Sequence, residues 1–447
     1  MTQNLALGRE QFAPGLGREA VERISELKQE PAWLRERRLE SWNIYEQTPT
    51  PAPSQREWKY TDITRLDFDR FRAYAAGTSD DAALEQRRRS LAQTRETSTG
   101  LLVQHDSAPV EQPLAEADAR RGVIFCSLDE AVRRCPDLVR EHLMTDCVPA
   151  GLDKLTALHA ALWSGGTFVY VPRGVELTLP LQTLATASTA GLAVFPHVLV
   201  VAEPQSRLTL IDEYGSSARE GFALSDAVGE FIVGNNAELR YVNVQGWDTG
   251  TYHFSTQRAI LGAGASLRYV TAGLGARLSK QRSEAILEGR GSDSEMLGLF
   301  FGERGQKFDS LTLQEHRGEQ TKSDLLYKSA LKDAAQSVYY GLVHVGREAR
   351  GTDANQENRN LLLSDRAKAD SDPVLEILTS EVVRCSHGAT VGPVDEEQLF
   401  YLQCRGLERE AAERLLVEAF FASVIQRVPV VQVRSTLENA VRQRLAA

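Results

Sequence analysis

Six stretches of the chain repeat one pattern: a strand-like run ends, the backbone turns through Gly, Pro, Asn or Ala, and a second alternating run begins. The first apolar residues after these turns are Leu177, Leu208, Leu239, Leu267, Leu297 and Val338, in steps of 31, 31, 28, 30 and 41 residues. A period of that size marks stacked structural units. No helix separates the strands, which excludes a βαβ array. Propeller blades need four strands in about 40 residues, and most of the steps are shorter. The spacing therefore predicts a β-solenoid, in which each coil hides one side of its strands only by stacking on its neighbours. An irregular sandwich with coincidental spacing is the alternative.

The flanks read as helix. "GREAVERISELKQEPAWLRERRLESWNIYEQ" is rich in helix formers, and Pro31 suits the first turn of a second helix. "TPTPAPS" (48–54) reads as an extended connector, "REWKYTDITRLDFDRF" as an aromatic segment packed down, and 75–99 as linker or an exposed helix. In "GLDKLTALHAALWSGG", Asp153 is a plausible cap, and His159 shares a face with Leu155, Leu158 and Leu162, as a core histidine would. After Asp395 the chain is helical again. Ala412, Leu415, Leu416, Ala419, Phe420, Ser423 and Val424 keep one helical phase, with Val417 and Phe421 on a second flank. Pro429 breaks that helix; Val433, Leu437, Val441 and Leu445 align in the next. These faces pack either on the protein's own body or on a partner. The expected organisation is a helical region with linker (1–121), a mixed segment leading into the core (122–166), the β-helix core (167–394) and a helical end (395–447).

A chain of 447 residues exceeds what a single hydrophobic core usually serves. A net charge of −10 argues against general binding to nucleic acid or anionic membrane. No apolar run approaches the roughly 20 residues that span a bilayer, and "MTQNLALGREQF" lacks a secretory pattern. Five cysteines without a C-x-x-C pair indicate neither a disulfide framework nor a zinc ribbon, so a reducing cytoplasm is the expected setting.

In "RCSHGATVG" (384–392), Cys385 and His387 fall on the same face of an extended strand. Two such donors suit a zinc or iron–sulfur centre, yet these usually take four ligands. Asp395, Glu396 or another chain would have to complete the set, and a strand-end thiol and imidazole of no special role is the competing reading. Asn355, Asn358 and Asn360 read as structural, and Asp212, Glu213 and Asp248 do not recur on one face at coil spacing as a sugar-cleaving acid pair would.

"NQENRNLLLSDRAKADSDPVLEILTSEVVRCSHGATVGPVDEEQLFYLQCRGLEREAAERLL", "ALWSGGTFVYVPRGVELTLPLQ", "EPAWLRERRLESW" and "REWKYTD" together resemble the SufB/SufD family of iron–sulfur cluster assembly. "CSHGATVGPVDEEQLFYL" looks like the SufD branch, because SufB has glutamates around the histidine, as in "CEHEAT", where this chain has Ser386 and Gly388. No cysteine lies between Cys147 and Cys385, so the core offers none to accept sulfur as SufB's does.

The resemblance implies a right-handed parallel β-helix flanked by helical ends. It implies a non-catalytic scaffold in a SufBCD complex, pairing with SufB through the β-helix and with the SufC ATPase through the C-terminal helices. Without SufB, two copies of the chain could pair as a homodimer. Cys385 and His387 would sit at the SufB interface as metal ligands to a nascent iron–sulfur cluster, held transiently in the complex, with no cofactor bound tightly in isolation. Cys404 matches no family ligand. The chain has no Gly-x4-Gly-Lys-Ser/Thr phosphate loop of its own. The alternatives are a solenoid polysaccharide enzyme or a homodimeric metal-binding protein.

Overall fold

Two parallel sheets carry the repeat. The computed structural model describes residues 15–73, 98–112, 114–216 and 221–446, so most of the 75–99 stretch lies outside the described residues. Each coil gives one strand to each sheet. One file of eight parallel strands runs from Thr167–Val171 to Lys368–Ile377, and the other from Leu181–Ala187 to Val382–Pro393. The core is therefore a β-solenoid, mainly β overall, with helices towards both ends of the chain. No helix among the described residues is long and apolar enough to cross a membrane.

The leucine repeat is a true column over its first half. Leu208, Leu239 and Leu267 are in-register partners, and the bridge between Glu176 and Arg207 brings Leu177 into line with them. The next partner is Ser294, not Leu297, and Val338 belongs to the other sheet. At Ser294 and Ser323 the inward position is filled by small polar side chains, so counting to the first apolar residue overshoots. The column continues through Ala354 and ends at Cys385. Close stacking also dictates turn residues: at Gly289 a Cβ would lie 2.0 Å from the Ala263 backbone nitrogen one coil away.

The two ends of the rod differ. At the first coil, Ile124–Ser127 pairs antiparallel with Thr167–Val171, and Gly100–His105 extends the second sheet and turns back as Ala108–Gln112. The two hairpin strands come from the region expected to hold helix and linker, and Ile124–Ser127 from the mixed segment that follows it. Asp106 and Ser107, at φ 45° and 76°, make the two-residue turn that a tight hairpin requires. At the last coil, Lys368–Ile377 and Val382–Pro393 each keep one unpaired edge among the described residues.

Both flanks pack against the outer faces of the sheets. The segment after the extended connector straps across successive coils: Trp58 is buried under Lys280, Thr61 donates to Asp309, Arg282 pairs with Glu57 at 2.5 Å, and Arg56 reaches Asp372 on the last coil at 3.6 Å. The helices Arg409–Ile425 and Val431–Ala446 cover the second sheet, seating Val417, Phe421, Val424 and Leu437 among Val270 and Phe301. Val417 and Phe421, read as a second flank, are thus buried together with Ala412 and Val424 of the principal phase. Leu415, assigned to the principal face, is 48% exposed, because the sheet takes the Val417–Phe421–Val424 side and Leu415 turns to the groove between the two helices.

His159 is a core histidine with both ring nitrogens engaged. Asp153 caps its helix in a capping box with Thr156. His159 Nδ1 lies 2.8 Å from the Asp226 carbonyl oxygen, which can only accept, so this nitrogen carries the proton. Its Nε2 then accepts from His197 Nδ1 at 2.9 Å, which leaves His197 Nε2 a lone pair facing Glu230 Oε2 at 3.1 Å. Glu230 must supply the proton. Burial pushes its carboxyl up to about 8 and holds His197 down to about 3, in agreement with that direction. Native Glu230 thus keeps a proton that the unfolded chain releases near 4.5, so its contribution to stability is fully present below that pH and is lost as pH rises towards 8. Glu230→Gln should therefore gain on the parent by about 1 kcal/mol per pH unit between roughly pH 6.5 and 8. Urea midpoints across that range test this; a constant difference would mean Glu230 is ionised when folded.

Candidate functional site

The strand Val382–Pro393 is the free edge of the second sheet, and it carries the thiol–imidazole pair. Its register on Thr352–Leu362 places Cys385 beside Ala354 and His387 beside Gln356, both of which are fully buried and face the interior. In-register parallel neighbours project to the same side, so Cys385 and His387 continue two inward columns at the coil where, among the described residues, no further strand covers them. Cys385 is half-buried against Val343, Val345 and Ala354, and His387 is exposed. The pair is side by side, as the alternation required, and open to a neighbour.

Ser386, between them, points the other way. Its hydroxyl donates to Asn355 Oδ1 at 2.8 Å, and Asn355 Nδ2 donates to Asp324 Oδ1 at 2.9 Å. Asp324 accepts from Arg427, which also holds Glu295 at 2.6 Å. One line of hydrogen bonds therefore runs along the outer face from the C-terminal helical region to the site. Asn358 and Asn360 are buried on the opposite face of the same strand, where Asn360 Nδ2 and Ser371 Oγ both donate to Asn358 Oδ1. All three asparagines make structural hydrogen bonds, at mid-strand rather than in turns.

Two candidate donors stand at this edge among the described residues. The Asp395 carboxylate caps the helix Glu396–Cys404 by accepting from Glu397 and Gln398, and Glu396 pairs with Arg409 at 2.8 Å. Both are spent where the chain turns into helix, so neither completes a ligand set. Cys404 is exposed at the far end of that helix. No cluster of three or more His, Cys, Asp or Glu side chains suited to a metal exists among the described residues. Cys385 and His387 fit a four-ligand centre only as half of it. The carboxylates weighed for sugar chemistry do not converge: Asp212 is buried inside the rod and accepts from Tyr241 at 2.6 Å, while Asp248 caps a turn at Gly250 and Thr251.

Burial raises the Cys385 thiol, and the Asp353 carboxylate raises it further. The free chain thus carries a thiol, which becomes a soft-metal ligand once it loses its proton. Asp353→Asn removes one of those causes, and alkylation of Cys385 at pH 8 should speed up by about two- to threefold. Mass spectrometry of the labelled peptide reads the rate, and a slower reaction would contradict the assignment.

The comparisons with known proteins cover nearly the whole chain. Residues 184–420 match the family described as "SUF system FeS cluster assembly, SufBD core domain", and 18–183 match "SufBD protein N-terminal region". The chain is 31% identical to the iron–sulfur cluster assembly protein SufD of Bacillus subtilis, over 96% of this chain and 97% of the relative. It is 29% identical to an iron–sulfur cluster assembly SufBD family protein of Staphylococcus saprophyticus, over 93% and 90%. A core match that takes in all but the start of the rod, and an N-terminal match that takes in the chain from 18 up to 183, lead to one conclusion: this chain belongs to the SufBD family of the SUF iron–sulfur cluster assembly system.

Proposed function

We propose that this chain is a non-catalytic scaffold subunit of a cytoplasmic SufBCD-type complex, and that it lends Cys385 and His387 to a cluster built between two subunits. The observation that carries this reading is the half-set of ligands on an uncovered edge strand. A site with two donors and no local third is complete only when a second chain supplies the rest. The surroundings support such docking. Val383 is 73% exposed at one end of the edge strand with Ile377 and Leu378 exposed nearby, and Val391 is exposed towards the other end. The occupant is a SufB-type sister subunit whose own edge strands extend both sheets. The cluster is cargo, held while the complex is assembled and not bound tightly by this chain alone. When the sister subunit is absent, the same free edges can pair two copies of this chain.

A second surface supports an ATPase partner of the SufC type. Phe400, Tyr401, Leu407 and Leu415 are exposed on and beside the C-terminal helices, which bury their other faces on the rod. Movement there would reach the site through Arg427, Asp324, Asn355 and Ser386, because that line is anchored beside those helices and ends between Cys385 and His387.

Two outcomes are expected in the purified, anaerobically reconstituted complex. His387→Ala should lower the yield of cluster by about tenfold, read by absorbance and acid-labile sulfide; an undiminished yield removes His387 from the mechanism. Asn355→Ala should leave the ATPase rate unchanged while lowering ATP-dependent cluster formation by about threefold or more. Equal loss of both activities, or of neither, would contradict the coupling.

A further inference from the structure

His387 stands directly over a buried amide whose orientation the interior fixes. Gln314 Nε2 lies 3.1 Å from the Asn355 main-chain oxygen and 2.7 Å from Ser323 Oγ. A main-chain oxygen only accepts, so the nitrogen end of Gln314 is determined and its Oε1 faces Gln356. Gln356 therefore offers Nε2 to Gln314 Oε1, at 3.3 Å. Its own Oε1 is left buried and without a partner. Gly341 keeps room for this arrangement, since a Cβ there would come 2.7 Å from Gln356 Nε2.

A buried carbonyl oxygen without a hydrogen bond calls for an explanation. On one side of Gln356 in its column stands Leu325, which has no donor; on the other stands His387. Successive side chains in such a column are about 4.8 Å apart, within reach of an imidazole that turns inward. The His387 ring is not committed to another hydrogen bond among the described residues and is exposed.

We infer that Gln356 is a positioning residue for His387: its side-chain carbonyl accepts one ring N–H, so that the other ring nitrogen keeps its lone pair towards the open end. The hydrogen bond selects one neutral tautomer and restrains the ring, as outer-shell partners of metal-binding histidines do. This deepens the shared-site reading above and rests on it for its purpose, though not for its geometry.

Ring-nitrogen NMR on intact chain labelled at its eight histidines, free and in the reconstituted complex, tests the hydrogen bond. His387→Ala assigns the signal. The expected result is a single His387 tautomer with a protected ring proton, replaced by mixed tautomers in Gln356→Met, which keeps the side-chain length but has no acceptor oxygen. The same variant should lower cluster yield by about tenfold. Mixed tautomers for the unaltered chain in both states overturn the inference whether or not the variant folds, as does a folded Gln356→Met with an unchanged His387 signal. If His387→Ala leaves cluster yield intact, the shared site falls, and the ring signal still decides the Gln356 bond.

Discussion

Register between successive coils is the constraint on which the rest of this protein depends. No coil has enough apolar surface to close on itself, so each inward side chain must find its counterpart one strand away. Columns such as Leu208–Leu239–Leu267 fill the interior where aliphatic groups meet, and a column of mixed character runs from Leu210 through Tyr241 and Tyr269 to Gln356 and His387. The same ladder that makes the core also aims the two candidate ligands. A slip of one residue in the final strand would turn Cys385 and His387 outward and bring Ser386 in.

Much of this was legible in the sequence because the period and the alternation are local. The solenoid follows from turn spacing, and the shared face of Cys385 and His387 follows from strand parity alone. What escaped depends on which neighbour a side chain meets. Ser294 carries no apolar signal, so counting apolar residues slips out of register in the second half of the repeat. Phase alone does not tell which side of an all-round apolar helix a sheet will take, so it sets Leu415 on the principal face and Val417 and Phe421 on a flank. The hairpin at 100–112 did carry a sign, an apolar run followed by Asp-Ser, but it lies outside the repeat. Gln356 reads only as one polar residue among several, and its unpaired oxygen emerges from the bonds of Gln314.

Dense ionic contacts lie where the N-terminal strap crosses the first sheet, at Lys280, Arg282 and Asp309, and where Arg427 clamps Glu295 and Asp324. Such contacts between partly buried charges are strongly geometry-dependent. They tie both flanks to the rod, and the strap reaches the last coil through Arg56. The strap thus reaches the last coil on one outer face, while on the other Arg427 holds strands two and three coils short of the bare end.

That asymmetry limits how large an assembly can grow. The first coil is closed by antiparallel strands, which break the parallel stacking pattern, and the last coil is not. A rod that can be joined at one tip only behaves like a monofunctional monomer in a polymerisation: it consumes one complementary tip and stops. If the proposed pairing joins rods through the bare tip, growth by that pairing halts at two rods, without any need for a separate length-measuring device.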